Sequence, residues 1–223
     1  MQNLNSRPIA DARESALSTN KVLRNTYALL SMTLLFSAAM AAISVVVAPP
    51  PITSLICTFG AIGILMFVLP KFDESTTGIG IVFLATGMLG FGLGPILSMY
   101  LALPNGASVV MTAMGGTGAI FLALSAYVLT TKKDFSFMGG FLVAGLMVVF
   151  GAVILSLFVN MPALQVVISG AMVMLMSGFI LFDTSRIING GETNYIRATV
   201  SLFINIFNLF TSLLHLLGIM GDD

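Results

Sequence analysis

The chain contains no tryptophan, one cysteine, one histidine and few charges. Each scarcity excludes something. A lone Cys57 cannot close an internal disulfide, so no oxidised framework holds the chain together. It lies inside an apolar run, as a small lipid- or core-facing side chain would. There is no H-E-x-x-H pair for a zinc protease, no G-x-S-x-G elbow and no Walker loop. The single histidine, His215, stands far in sequence from any obvious serine partner. No lysine falls inside an apolar run, which excludes a Schiff-base retinal site. No two aspartates fall on facing runs, against an aspartyl intramembrane protease. Charged residues make up 8% of the chain, where soluble domains carry about 25%. The formal net charge is zero, and no basic patch is left over for nucleic acid. No catalytic residue, metal ligand or cofactor is expected, so the chain reads as a non-enzyme.

What is abundant is apolar surface: 57% of the 223 residues are hydrophobic, and mean hydropathy is +1.05. Such a chain cannot clothe itself with polar groups in water, but in lipid it need not. A bilayer core of about 30 Å takes roughly 20 helical residues to cross. Seven runs meet that length, near 26–47, 52–69, 78–101, 107–129, 138–159, 163–182 and 199–218. The expected fold is an all-α bundle of seven transmembrane helices. It divides into a polar N-terminal tail (1–24), the membrane domain (25–220) and a short C-terminal tail (221–223). The first run is too long and too late for a cleaved signal. Very short connections at 48–51, 102–106 and 160–162 carry Pro49, Pro50, Pro51, Pro104 and Pro162. They predict hairpins of spans 1–2, 3–4 and 5–6.

All nine basic residues fall on one side of a seven-span arrangement. Arg7, Arg13, Lys21 and Arg24 precede span 1, and Lys71 follows span 2. Lys132 and Lys133 follow span 4, and Arg186 and Arg197 follow span 6. The positive-inside rule then predicts a cytoplasmic N-terminus and a C-terminus, with Asp222 and Asp223, on the far side. The seventh span has no basic residue after it to test it; a re-entrant hairpin there would return the C-terminus inside. Tyr27, Tyr100, Tyr127 and Tyr195 lie near span ends, where an amphipathic ring prefers the interface.

Gly90 and Gly94 form a GxxxG pair in span 3, the pattern that lets membrane helices approach closely. The surrounding glycine run is not a nucleotide loop, because no strand precedes it. Pro95 follows Gly94 and cannot donate a helical hydrogen bond, which predicts a kink at Gly94-Pro95, structural or part of a pathway. Asp183 closes span 6, with Arg186 on the same face and Arg197 beyond the next loop as possible ion-pair partners. Two readings stand for Asp183: an interfacial carboxylate paired with an arginine, or a partly buried proton or cation site. His215 reads as a snorkelling interfacial histidine. Asn205 and Asn208 read as interhelical hydrogen-bonding residues.

The last 45 residues also carry a resemblance. Ile180-Leu181-Phe182-Asp183-Thr184, Gly191-Glu192-Thr193-Asn194-Tyr195-Ile196-Arg197-Ala198, Ser201-Leu202-Phe203 and Asn208-Leu209-Phe210 resemble the C-terminal signature of the Bax inhibitor-1 (TMBIM) family. Leu23-Arg24-Asn25-Thr26-Tyr27, Gly94-Pro95-Ile96-Leu97-Ser98-Met99-Tyr100 and Lys132-Lys133-Asp134-Phe135-Ser136-Phe137-Met138-Gly139 agree. The likeness runs from about residue 21 to the end and is strongest to the bacterial branch described as modulators of the membrane protease FtsH. It implies six helices around a central seventh, in a bacterial inner membrane. It also implies two aspartates on helices 6 and 7 that form a pH switch at the inner gate of a calcium or proton leak. Asp183 matches the first, but the second falls on Asn205, which cannot share a proton as a coupled carboxylate would. The family's helix-2 arginine has no counterpart in 52–69. The resemblance therefore implies, first, a regulator that binds an FtsH-type protease through the polar tail. A pH-sensitive leak with Asp183 at its inner mouth is the alternative.

Overall fold

A computed structural model describes residues 7–159 and 161–220. The first six residues of the expected N-terminal tail, residue 160 of the 160–162 connection and the expected C-terminal tail 221–223 lie outside the described residues.

Seven helices follow one another: α1 (Arg7–Val47), α2 (Ile52–Gly63), α3 (Thr76–Leu101), α4 (Gly106–Thr131), α5 (Gly139–Ser156), α6 (Pro162–Ile188) and α7 (Tyr195–Met220). All seven spans are long and apolar enough to cross a bilayer once the turns extending α2 and preceding α5 are counted. The expected spans hold, with two extensions. α1 begins at Arg7, so the polar segment before residue 25 continues the first helix. Its only proline, Pro8, occupies the first turn, where a missing N–H costs nothing, and no glycine interrupts the rest of the helix. At 41 residues this helix is roughly 60 Å long, about twice a bilayer core. α6 likewise runs to Ile188, six residues past its expected end at 182. α2 widens into a π turn (Ile64–Val68) and tightens into a 3-10 turn (Leu69–Lys71) at Pro70. There Leu69 N–H reaches back five residues to the Ile64 carbonyl.

The expected hairpin of spans 1 and 2 is not what packs. Among the described residues α1 and α2 make no helix–helix contact, and α3 packs against both. The reason lies on α3. A Cβ on Gly90 would sit 2.8 Å from the Ser37 carbonyl carbon, and one on Gly94 would sit 2.9 Å from that of Ser44. On another side of α3, a Cβ on Gly92 would sit 3.0 Å from Cys57 Cβ of α2. Bare glycine rows thus admit a helix backbone on two sides. The dispersion gained there, with no water to drive association, outweighs chain adjacency. The α3–α4 and α5–α6 neighbours do pack on each other. α3 stays helical through Pro95 to Leu101, with no break.

Leu30, Phe121, Leu142, Ile180, Phe203 and Leu209 belong to one buried core linking α1, α4, α5, α6 and α7. α7 packs against α1, α3, α4 and α6. α2 and α5 are peripheral and turn Phe59, Phe67, Met147 and Phe150 outward. In water that surface would be a large aggregation liability, but against acyl chains it is the solvent-matched face. Tyr100, next to the last residue of α3, is buried against Val109, Ala113 and Leu214, with its ring over Gly218.

Candidate functional site: a buried carboxylate between α6 and α7

The turn between α6 and α7 is built by local chemistry. Gly190 takes φ +77°, a conformation that glycine adopts without strain. Gly191 N–H then donates to the Arg186 carbonyl at 2.8 Å, and Gly190 N–H to that of Ile187 at 3.4 Å. This is the glycine-terminated helix end that satisfies the last carbonyls. Four residues later Asn194 caps α7. Its Oδ1 accepts from the N–H groups of Ile196 (2.8 Å) and Arg197 (3.2 Å), satisfying first-turn donors. Glu192 Oε1 accepts from Asn194 N–H at 2.9 Å.

That turn sets α6 and α7 antiparallel, with Asp183 facing the first turns of α7. Asp183 is 7% exposed. Its Oδ2 accepts hydrogen bonds from the Ser201 hydroxyl and from Asn205 Nδ2, the latter at 2.7 Å. Ser201 and Asn205 are four residues apart, one turn on the same face. Ser201 was not expected at the site; its place one turn before Asn205 was the available signal. Asn208 differs from the expectation: its Nδ2 donates to the Ile204 carbonyl of its own helix at 2.9 Å.

Neither arginine forms a direct ion pair with Asp183. Arg186 pairs with Glu192 at 3.6 Å, donates to the Gly191 carbonyl at 3.2 Å and lies 5.6 Å from the Phe182 ring centroid. Arg197 lies in the first turn of α7 and pairs with Asp73 at 2.5 Å. Asp73 belongs to the α2–α3 connection and is buried, while Arg197 is more than half exposed. Asn194 Nδ2 adds a bond to the Asp73 carbonyl at 2.8 Å. Sequence reasoning missed this clasp because its partners stand more than 120 residues apart with no shared pattern.

Asp183, Arg186, Ile187, Glu192, Ala198 and Ser201 line a small cavity of ≈ 20 Å³. That is room for about one water molecule. A hydrated divalent cation, with several waters around it, does not fit. Chemically the site is one carboxylate held by an amide and a hydroxyl, with an arginine–glutamate pair at its edge. No group of three or more metal-ligating side chains occurs among the described residues.

At the other end of the same helix pair, Ser169 Oγ lies 2.8 Å from His215 Nδ1. The histidine that stands far in sequence from any obvious serine thus meets one through the fold. The partner sits 46 residues away, on the facing helix.

A seven-helix membrane bundle with a buried carboxylate between its last two helices defines the class. Comparison with known proteins makes it specific. Residues 19–222 match the family model described as inhibitor of apoptosis-promoting Bax1, and the chain belongs to this Bax inhibitor-1 family. It is 50% identical over 211 residues, 95% of each chain, to "Modulator of FtsH protease YccA" of Escherichia coli (strain K12). The same identity and coverage hold for "Inner membrane protein YccA" of Escherichia coli O6:H1. An uncharacterized membrane protein of Vibrio cholerae is 52% identical over 94% of each chain.

Proposed function

We propose that this protein is a bacterial inner-membrane regulator that binds and modulates a membrane-bound, ATP-dependent protease of the FtsH type. The observation that carries the reading is the half-identity, over nearly the whole of both chains, to a protein named as a modulator of that protease. The role is binding, not catalysis. The N-terminus lies in the cytoplasm and the C-terminus in the periplasm, an orientation supported by the one-sided placement of all nine basic residues.

The architecture supports a division of labour. Residues 1–24 are the handle that the protease engages, and residues 25–220 are the anchor. α1 starts at Arg7, well before the apolar run that opens near residue 26. Behind it, α3 is seated on α1 through Gly90 and Gly94, so a pull on α1 must separate a close-packed pair. α7 is the central helix of that anchor, a reading supported by its contacts with α1, α3, α4 and α6. A protein gripped at one end and slow to extract occupies the protease and spares other substrates. Asp183 and Asn205 hold α6 to α7 in this scheme. The one-water cavity beside them leaves no room for a hydrated calcium ion.

The deciding experiment deletes residues 2–20 and follows two quantities in cells: turnover of the protein and degradation of other membrane substrates of the protease. The proposal expects slower turnover of the truncated protein and loss of its effect on those substrates. Unchanged values for both overturn it.

A further inference from the structure

The α4–α5 connection holds a lysine in a conformation that lysine rarely takes. Lys132 closes α4 at φ 52°, ψ 25°, the left-handed region where a Cβ is strained and glycine or asparagine is usual. Such strain persists where the surroundings or the function hold it. Lys133 is next in the chain, and both side chains are exposed. Lys133 Nζ is held 3.1 Å from Tyr127 Oη and 5.7 Å from that ring's centroid, a cation–π placement.

The rest of the connection is fixed and apolar. Phe135 packs between Tyr127 and Phe137, with ring centroids 6.2 and 6.4 Å away. Phe135 N–H donates to Ser185 Oγ of α6 at 2.8 Å, which pins the loop to the bundle. Phe137 is 79% exposed, and Phe141, one turn further on, also faces outward. Gly140 between them is exposed, and a Cβ there would meet nothing within 4 Å. The acid next in the chain, Asp134, is exposed as well, and its Oδ1 is engaged within the loop, accepting from Ser136 N–H at 2.8 Å. That bond, with a further one from the Ser136 side chain, holds its carboxyl below the usual carboxylate range. Two exposed lysines thus adjoin, along the connection, an outward phenyl surface that continues into α5.

We propose that Lys132 and Lys133, with Phe137 and Phe141, form a docking site for one anionic phospholipid of the surrounding leaflet. The lysines take the headgroup phosphate, and the phenyl rings lie along its acyl chains. Charge complementarity selects the headgroup, and continuity with the lipid-facing surface selects a lipid over a soluble anion. The inference is independent of the protease reading.

The test uses the full chain in phosphatidylcholine vesicles, with spin-labelled phosphatidylglycerol or spin-labelled phosphatidylcholine as the probe. Relative association of the two labels is read for wild type, Lys132→Gly, Lys133→Gln and, as a control in another basic connection, Lys71→Gln. Wild type is expected to prefer phosphatidylglycerol, and each loop variant to lower that preference about fivefold. Lys132→Gly relieves the left-handed strain, so its loss of preference is not a folding defect, and it decides alone if Lys133→Gln fails to fold. An unchanged preference in the loop variants overturns the proposal. So does an equal fall in Lys71→Gln, which would mean diffuse surface charge instead of a site.

Discussion

Ser169 and His215 face each other across α6 and α7 in the same antiparallel register that sets Asp183 against Ser201. On each helix the two rungs are separated by fourteen residues, about 21 Å along the axis. The last helical pair is therefore tied by side-chain hydrogen bonds near both of its ends, with apolar packing between them. Interhelical bonds of this kind in membranes contribute about 0.6 kcal/mol on average and up to roughly 1.7. A double-mutant cycle of Ser169→Ala and His215→Ala, read by reversible unfolding in mixed micelles, is expected to show a coupling in that range. Strictly additive losses would mean that the rung contributes nothing.

The clasp between the α2–α3 connection and α7 makes a sharper prediction. Asp73 is buried and its partner Arg197 is not, so the two residues are unequal. Removing Arg197 strands a buried carboxylate, whereas removing the carboxylate merely frees an exposed guanidinium. Arg197→Ala is expected to be destabilising, by less than the loss of a fully buried pair because solvent screens the exposed side. Adding Asp73→Asn to Arg197→Ala should recover much of that loss, since an amide needs no counter-charge. Unfolding midpoints of the single and double variants check this, and a double variant no more stable than Arg197→Ala refutes it.

The spans were legible because lipid makes a demand that composition answers directly: about 20 apolar residues without charge. The site was legible in part. Asp183 stood out as a lone acid at the end of an apolar run, and Asn205 as a polar residue within another. Ser201 was within reach, one turn from Asn205. Asp73, Ser185 and the Ser169–His215 pair were not, because their partners lie 46 or more residues away in sequence and are set by tertiary register. The α1–α2 hairpin failed for a related reason. A short, proline-rich connection reports that two helix ends are close, and says nothing about which faces meet. Those faces are chosen by where the glycines lie, and α3 carries them on two sides.

That choice can be tested on α3 itself. A Cβ on Gly90 would meet the Ser37 backbone of α1, where no flexible side chain can give way. Gly90→Ala must therefore push α1 and α3 apart, and overpacking of this kind costs about 1–3 kcal/mol. Gly115 in α4 is the control, because a Cβ there meets nothing within 4 Å. Gly115→Ala removes only the helix penalty of glycine, so it is expected to be neutral or to gain up to about 1 kcal/mol. Thermal unfolding of the two variants beside the wild type separates packing from propensity. Equal effects in both would mean that α3 does not owe its place between α1 and α2 to its bare glycine rows. If instead Gly90→Ala alone is destabilised, the same variant should also be extracted and degraded faster by the protease in cells. In the proposed function, the seating of α1 on α3 is what resists the pull.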